Sequence, residues 1–135
     1  MQKHLIAYAG AAITMIAIDL VWLGVIAKPL YQQGLGHLLA DEPRIGVAVW
    51  FYAAYPIGLV LFAIAPQEAA KSWTKTAGWA ALFGAFAYGT YDLTNLATLT
   101  DWPMGLALID MAWGTAVSAV AACGGKAAMD RFAVR

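Results

Sequence analysis

Charge is scarce in this 135-residue chain: lysine, arginine, aspartate and glutamate make up 12% of it, where a soluble domain has about 25%. Its eight basic and eight acidic residues cancel, so no basic field is present to hold nucleic acid. Cysteine occurs once, at Cys123, which excludes an intrachain disulfide and a cysteine-based zinc site. Cys123 reads as a small packing residue near a helix end. Histidine occurs only at His4 and His37, both outside the apolar runs, which excludes bis-histidine haem ligation within a membrane. His37 reads as a solvated loop residue. No metal-site residues are assigned, no phosphate-cradling loop or dinucleotide glycine pattern is present, and no activated Ser, Cys or His nucleophile.

What the chain has is apolar length. Hydrophobic residues make up 62% of it, and the mean hydropathy is +0.67. Four runs suit transmembrane helices, at about 5–27, 45–65, 76–99 and 103–123, since about 20 residues cross a core of about 30 Å. The first begins like a signal peptide, with Lys3 and His4 before hydrophobics, but it is too long for one and reads as a retained span. Residues 28–44 read as a loop broken by Pro29, Gly34, Gly36 and Pro43, with Tyr31, Leu35, Leu38 and Leu39 as a short interfacial turn. Pro56 should kink the second span and free the carbonyl near Tyr52. Ala81, Ala85 and Gly89 in the third span, and Gly114, Ser118 and Ala122 in the fourth, form stripes that permit close helix approach. Gly124 and Gly125 end the last span, leaving Lys126, Arg131 and Arg135 in a basic tail. Trp50, Trp73, Trp79 and Trp102 read as interfacial belt residues.

The predicted fold is all-α: an integral membrane four-helix bundle with antiparallel neighbours, one transmembrane domain over residues 1–135. Lys3, Lys71, Lys75, Lys126, Arg131 and Arg135 fall on one side, against Lys28 and Arg44 on the other, so both termini are expected in the cytoplasm.

The acids inside these runs carry the functional signal. Asp19 lies just outside the middle of the first span, and Asp92 and Asp110 fall in the outer halves of the third and fourth. Tyr52 and Tyr55 reach a similar depth in the second, so every helix contributes polar groups to one layer. Asp92 and Asn95 share a face beside Tyr91. Asp19 and Asp110 each have a tryptophan three residues on, Trp22 and Trp113, then a glycine, an echo compatible with an inverted repeat. Three ionised aspartates would cost about 8–10 kcal/mol if unpaired, and no lysine or arginine lies in a predicted span. Shared protons, a bound cation or neutral hydrogen-bond donors must offset that.

These residues resemble a bacterial family, domain of unknown function 2177. The resemblance rests on Asp19-x-x-Trp22-x-Gly24, Phe51-Tyr52-x-x-Tyr55-x-x-Gly58, Tyr91-Asp92-Leu93-Thr94-Asn95-Leu96-Ala97-Thr98-Leu99, Trp102-Pro103 and Asp110-x-x-Trp113-Gly114, the Tyr91–Leu99 run being the most specific. It implies a bacterial inner-membrane location and four spans; it carries no activity and no residue role.

Three functions stay open. The leading one is a site in the outer half of the bilayer, built from Asp19, Trp22, Tyr52, Tyr55, Tyr91, Asp92, Asn95, Asp110 and Trp113, that binds a small or lipidic ligand from the membrane or modifies it. A proton- or cation-coupled transporter or channel component would need a homo-oligomer or partner chain to form a pathway. A structural or accessory subunit would use the acids only to hold the bundle in register. No cofactor is identified by any of these residues.

Overall fold

The computed structural model describes residues 1–70 and 72–133; the fold is 83% helical, with no strand among the described residues, so the all-α reading holds. Helix α1 spans Gln2–Val21 and continues as a π-helical turn over Trp22–Ile26. Helix α2 is Lys28–Leu35, and α3 is Ile45–Leu59, followed by a π turn at Val60–Ile64 and a 3-10 turn at Ala65–Gln67. Helix α4 is Thr74–Thr98 and α5 is Met104–Phe132. Three stretches, Gln2–Ile26, Ile45–Gln67 and Met104–Phe132, are long and apolar enough to cross a membrane. Helix α4 has the length, at 25 residues, but its threonines, Lys75, Asp92 and Asn95 lower its hydropathy, and it falls outside that set.

Five helices rather than four therefore carry the fold. The added one is α2, from the segment expected to be a loop. Ala27 already has helical φ and ψ, and Pro29 sits in the first turn, where its missing N–H has no helical partner to lose. Tyr31 and Leu35 turn inward from α2, while Leu38 and Leu39, expected in the same turn, stay exposed. The expected end of the last helix is also corrected. Gly124 and Gly125 lie inside α5, which runs on through Lys126 to Phe132. They are glycines because α1 comes so close: a Cβ on Gly125 would stand 2.6 Å from the Ala7 carbonyl oxygen.

Helix α5 is the spine. It packs along α1 and α4, and residue numbers rise on one helix as they fall on the other: Ala7 meets Gly125 and Asp19 meets Trp113, while Gly84 meets Gly114 and Ser118, and Gly89 meets Met111. The stripe on α5 lies at this seam as expected, with Gly114, Ser118 and Ala122 all buried. On α4 the buried row is Thr76, Ala80 and Gly84, one residue before the expected Ala81 and Ala85; Gly89 belongs to the buried face in both. The core adds Ala7, Ala11 and Met15 of α1 to Leu59, Ala63 and Ile64 of α3. Leu20, Val25, Trp50, Phe62 and Phe86 point outward with more than half of their surface exposed, as residues facing lipid do. Several threonines satisfy their hydroxyls inside their own helices, as in Thr14 to Gly10 O at 2.8 Å and Thr90 to Phe86 O at 2.7 Å, whereas the buried Thr76 hydroxyl has no partner among the described residues.

At one end the first turn of α1, Glu68 and the last turns of α5 meet. Lys3 Nζ and His4 Nε2 reach the two Glu68 carboxyl oxygens at 2.8 and 3.0 Å. Lys126, only 1% exposed, donates to Asp130 Oδ1 at 3.0 Å and to the Glu68 carbonyl at 3.3 Å. Lys71 and Arg135, two of the basic residues behind the expected orientation, lie outside the described residues.

Two outcomes follow from this packing. A Cβ at Gly84 runs into the Gly114 carbonyl and Ser118, and a backbone oxygen cannot swing away. Gly84→Ala is expected to lower stability by about 1–3 kcal/mol in detergent unfolding; an unchanged midpoint would show that the seam is looser than described. Hydrogen bonds from Lys3 and then His4 hold the Glu68 carboxyl below its ordinary value of 4.5. Because folding lowers that value, the contact stabilises fully above pH 4.5 and is lost as pH falls through the lowered value. Hydrogen exchange in the first turn of α1, corrected for intrinsic rate, should speed up over that acid range in wild type and show no such step in Glu68→Gln.

Candidate functional site

Asp19 stands where three helices meet. It is 4% exposed, and each carboxyl oxygen accepts from a different neighbour: Oδ2 from the Tyr52 hydroxyl of α3 at 3.0 Å, and Oδ1 from the Trp113 indole N–H of α5 at 2.8 Å. The Trp113 ring lies flat on Trp22, with ring centres 4.2 Å apart and planes 5° from parallel. Trp22 opens the π turn of α1. The acid–tryptophan echo in the sequence is thus met across helices: Trp113, from one copy of the pattern, serves Asp19 of the other.

Asp110 accepts a hydrogen bond from the Tyr31 hydroxyl of α2. Asp92, 1% exposed, lies against Asp110 and the Trp102 indole. Its Oδ2 makes no hydrogen bond among the described residues; the Trp102 indole N–H faces the Asp92 carboxyl and the Trp22 indole N–H faces the Tyr31 hydroxyl, each just outside hydrogen-bond geometry. Tyr55 donates to Ser118 Oγ at 2.8 Å, because the Ser118 hydroxyl hydrogen goes to the Gly114 carbonyl at 2.6 Å. The Tyr55 ring meets Tyr88 edge-on, and the Tyr88 ring lies so close to Gly114 that a Cβ there would overlap it.

The structure therefore brings Asp19, Trp22, Tyr52 and Trp113 into one cluster and sets Asp92 and Asp110 against each other. Tyr55 bonds to Ser118 instead of an acid. Tyr91 is 54% exposed and meets only the Trp102 ring, nearly perpendicular to it at 5.5 Å between ring centres. Asn95, half-buried, makes no side-chain hydrogen bond among the described residues. The carbonyl near Pro56 that takes an outside donor is Ala53 O, from Tyr8 at 3.0 Å, one residue after Tyr52. Tyr31, Tyr88, Trp102 and Ser118 are the residues sequence reasoning missed. Ser118 was legible as a functional partner, one turn after Gly114 and two after Asp110 on the same face.

Between α1 and α3 lies an open groove of about 660 Å³. Ile16, Leu20 and Val49 are among its walls, and Tyr8, Asp19 and Tyr52 are its polar side chains. Among the described residues, no three His, Cys, Asp or Glu side chains gather closely enough to hold a metal ion. What the site offers chemically is hydrogen bonding by carboxyl, phenol and indole groups beside apolar surface.

Apolar helices long enough to span, an outward belt of large hydrophobic residues and acids held inside by neutral donors define a helical membrane protein. The chain matches over residues 4–127 the model of a family described as predicted membrane protein, domain of unknown function 2177, and it belongs to that family. No curated protein and no solved structure matches it.

Trp113→Phe keeps a ring to stack on Trp22 and removes only the donor to Asp19. It is expected to reduce stability by roughly 1–2 kcal/mol in detergent unfolding, the scale of a lost interhelical hydrogen bond. A variant as stable as wild type would mean that Asp19 does not depend on this bond.

Proposed function

We propose that the protein binds a lipidic ligand through an intramembrane acidic and aromatic site, with the ligand's chain in the groove between α1 and α3 and its polar end toward Asp19 and Tyr52. The groove carries the reading. Its volume falls within the range of small-molecule sites, about 300–1,000 Å³, and its mostly apolar wall with a few convergent polar groups is the usual make-up of such sites. Being open along the bundle's side, it admits a membrane lipid without passage through water.

In this reading the protein is a bundle of four antiparallel spans, α1, α3, α4 and α5, with α2 at the outer surface of a bacterial inner membrane. The meeting of Lys3, Lys126 and Glu68 at one end supports both termini on one side, and the excess of basic residues on that side supports the cytoplasm. The Asp19 site then lies toward the outer half. One observation favours a second reading, a structural role: Asp19 accepts from α3 and α5 at once and so ties three helices together.

Native mass spectrometry of the solubilised protein separates the two. Ala48 is exposed and lines the groove, so Ala48→Trp fills it while leaving the Asp19 hydrogen bonds in place. Wild type is expected to carry a lipid mass whose occupancy falls about tenfold in Ala48→Trp, the effect of roughly 1.4 kcal/mol, with the helical circular dichroism unchanged. Equal occupancy in both would sink the groove as a binding site and leave the structural reading.

A further inference from the structure

A second set of polar groups lies next to that site, and the Asp19 hydrogen bonds do not use it. Asp92 is 1% exposed, yet its Oδ2 makes no hydrogen bond among the described residues, and the Trp102 indole N–H faces that carboxyl without reaching hydrogen-bond geometry. The Trp22 N–H, near Tyr31, is the third such group. Burying a polar group without a partner costs on the order of 1–3 kcal/mol, and three lie around one pair of facing carboxyls.

Their chemistry selects what would satisfy them. Trp102 offers a donor whose nearest acceptor, the Asp92 carboxyl, lies just outside hydrogen-bond geometry, so a group placed between them would meet both. Asp92 Oδ2 sits beside a second carboxyl, so an anion is repelled. An ammonium group satisfies the carboxyl and leaves the indole unmet, because it has no acceptor. A hydroxyl donates to Asp92 and accepts from Trp102 at once.

Helix α2 covers the pair. It is tied down by the Tyr31–Asp110 hydrogen bond, by Leu35 and by Gly34 against Pro103 and Leu106, while its other residues are exposed. So few contacts let it shift to admit a group larger than water. We infer that Asp92 and Trp102, beneath α2, form the seat for a neutral hydroxyl-bearing headgroup, so that the ligand is a glycerol- or sugar-type lipid. This rests on the proposed lipid site and names its headgroup class: the polar end that reaches Asp19 and Tyr52 from the groove would carry its hydroxyls past Asp110 to Asp92 and Trp102.

The test uses the whole protein in an amine-oxide detergent, which carries no hydroxyl. A monoacylglycerol and the same molecule with both hydroxyls methylated are titrated, followed by tryptophan fluorescence and thermal stability. The free alcohol is expected to bind about tenfold tighter, and Trp102→Phe, which keeps a ring against Tyr91, to bring the two to parity. Equal binding of both by wild type overturns the headgroup assignment, leaving water to satisfy these groups, while the proposed lipid site stands. A preference that survives in Trp102→Phe places the hydroxyl elsewhere and overturns the seat. If neither molecule binds, this inference and the lipid site fall together. Should Trp102→Phe not fold, the wild-type ratio decides alone.

Discussion

Three carboxyl groups inside an apolar bundle impose the constraint that orders this molecule. The buried lysine of α5, Lys126, is engaged at the other end with Asp130 and the Glu68 carbonyl, so the acids meet only neutral donors. An interhelical hydrogen bond of that kind stabilises by about 0.6–2 kcal/mol, against about 2.5–3.5 for one charge at mid-membrane. Two donors thus bring Asp19 near balance, one per oxygen, and in doing so they fix the level of α1, α3 and α5 relative to one another. Asp110 has a single phenol. Asp92, with a fully buried oxygen that makes no hydrogen bond among the described residues, has less than either, so the imbalance is greatest at the Asp92–Asp110 pair.

Those bonds exist only because backbones come close. Gly84, Gly114 and Gly125 let α5 lie against α4 on one side and α1 on the other, and the Trp113 indole reaches Asp19 from that position. Helix α3 has no comparable glycine seam with α1. In its first half it is joined through side chains, Tyr8 to Ala53 O and Tyr52 to Asp19, and the space between those struts is the groove. Tight packing on two faces of α5 and open packing at the third pair of helices are two results of one distribution of small residues.

The long apolar runs and the convergence of Asp19, Tyr52, Asp92, Asp110 and Trp113 were legible in the sequence, because both depend on periodicity and length alone. Helix α2 was not. Pro29 and Gly34 read as breakers, yet a proline in the first turn starts a helix, and Gly34 is the close-contact point against Pro103. Gly124 and Gly125 misled for the same reason, since a glycine pair that ends a helix in water can be its contact surface inside a membrane. The one-residue error on α4 reflects how weakly alanine marks a face. Ala81 and Ala85 pack as well as Ala80 in a pattern, and Gly114 and Ser118, on another helix, decide which row is buried. Tyr91 and Asn95 were placed by their spacing from Asp92, but spacing fixes a direction and not a partner.

The paired acid–tryptophan patterns show how α2 shapes the site. Were the halves equivalent, Trp113 would serve Asp19 and Trp22 would serve Asp110, with the two rings stacked between them. The stack and the first bond are present; in place of the second, Tyr31 of α2 bonds Asp110 and the Trp22 N–H is left over. A short helix from outside the apolar runs thus supplies the donor to Asp110 that a tryptophan supplies to Asp19. The half it leaves intact, at Asp19, has both oxygens met and faces the groove. On the other side the Tyr31 phenol serves one Asp110 oxygen, and the Trp22 N–H faces that phenol and not a carboxyl. The asymmetry of the site therefore originates in α2, and any ligand that meets Asp92 must do so on terms set by that helix.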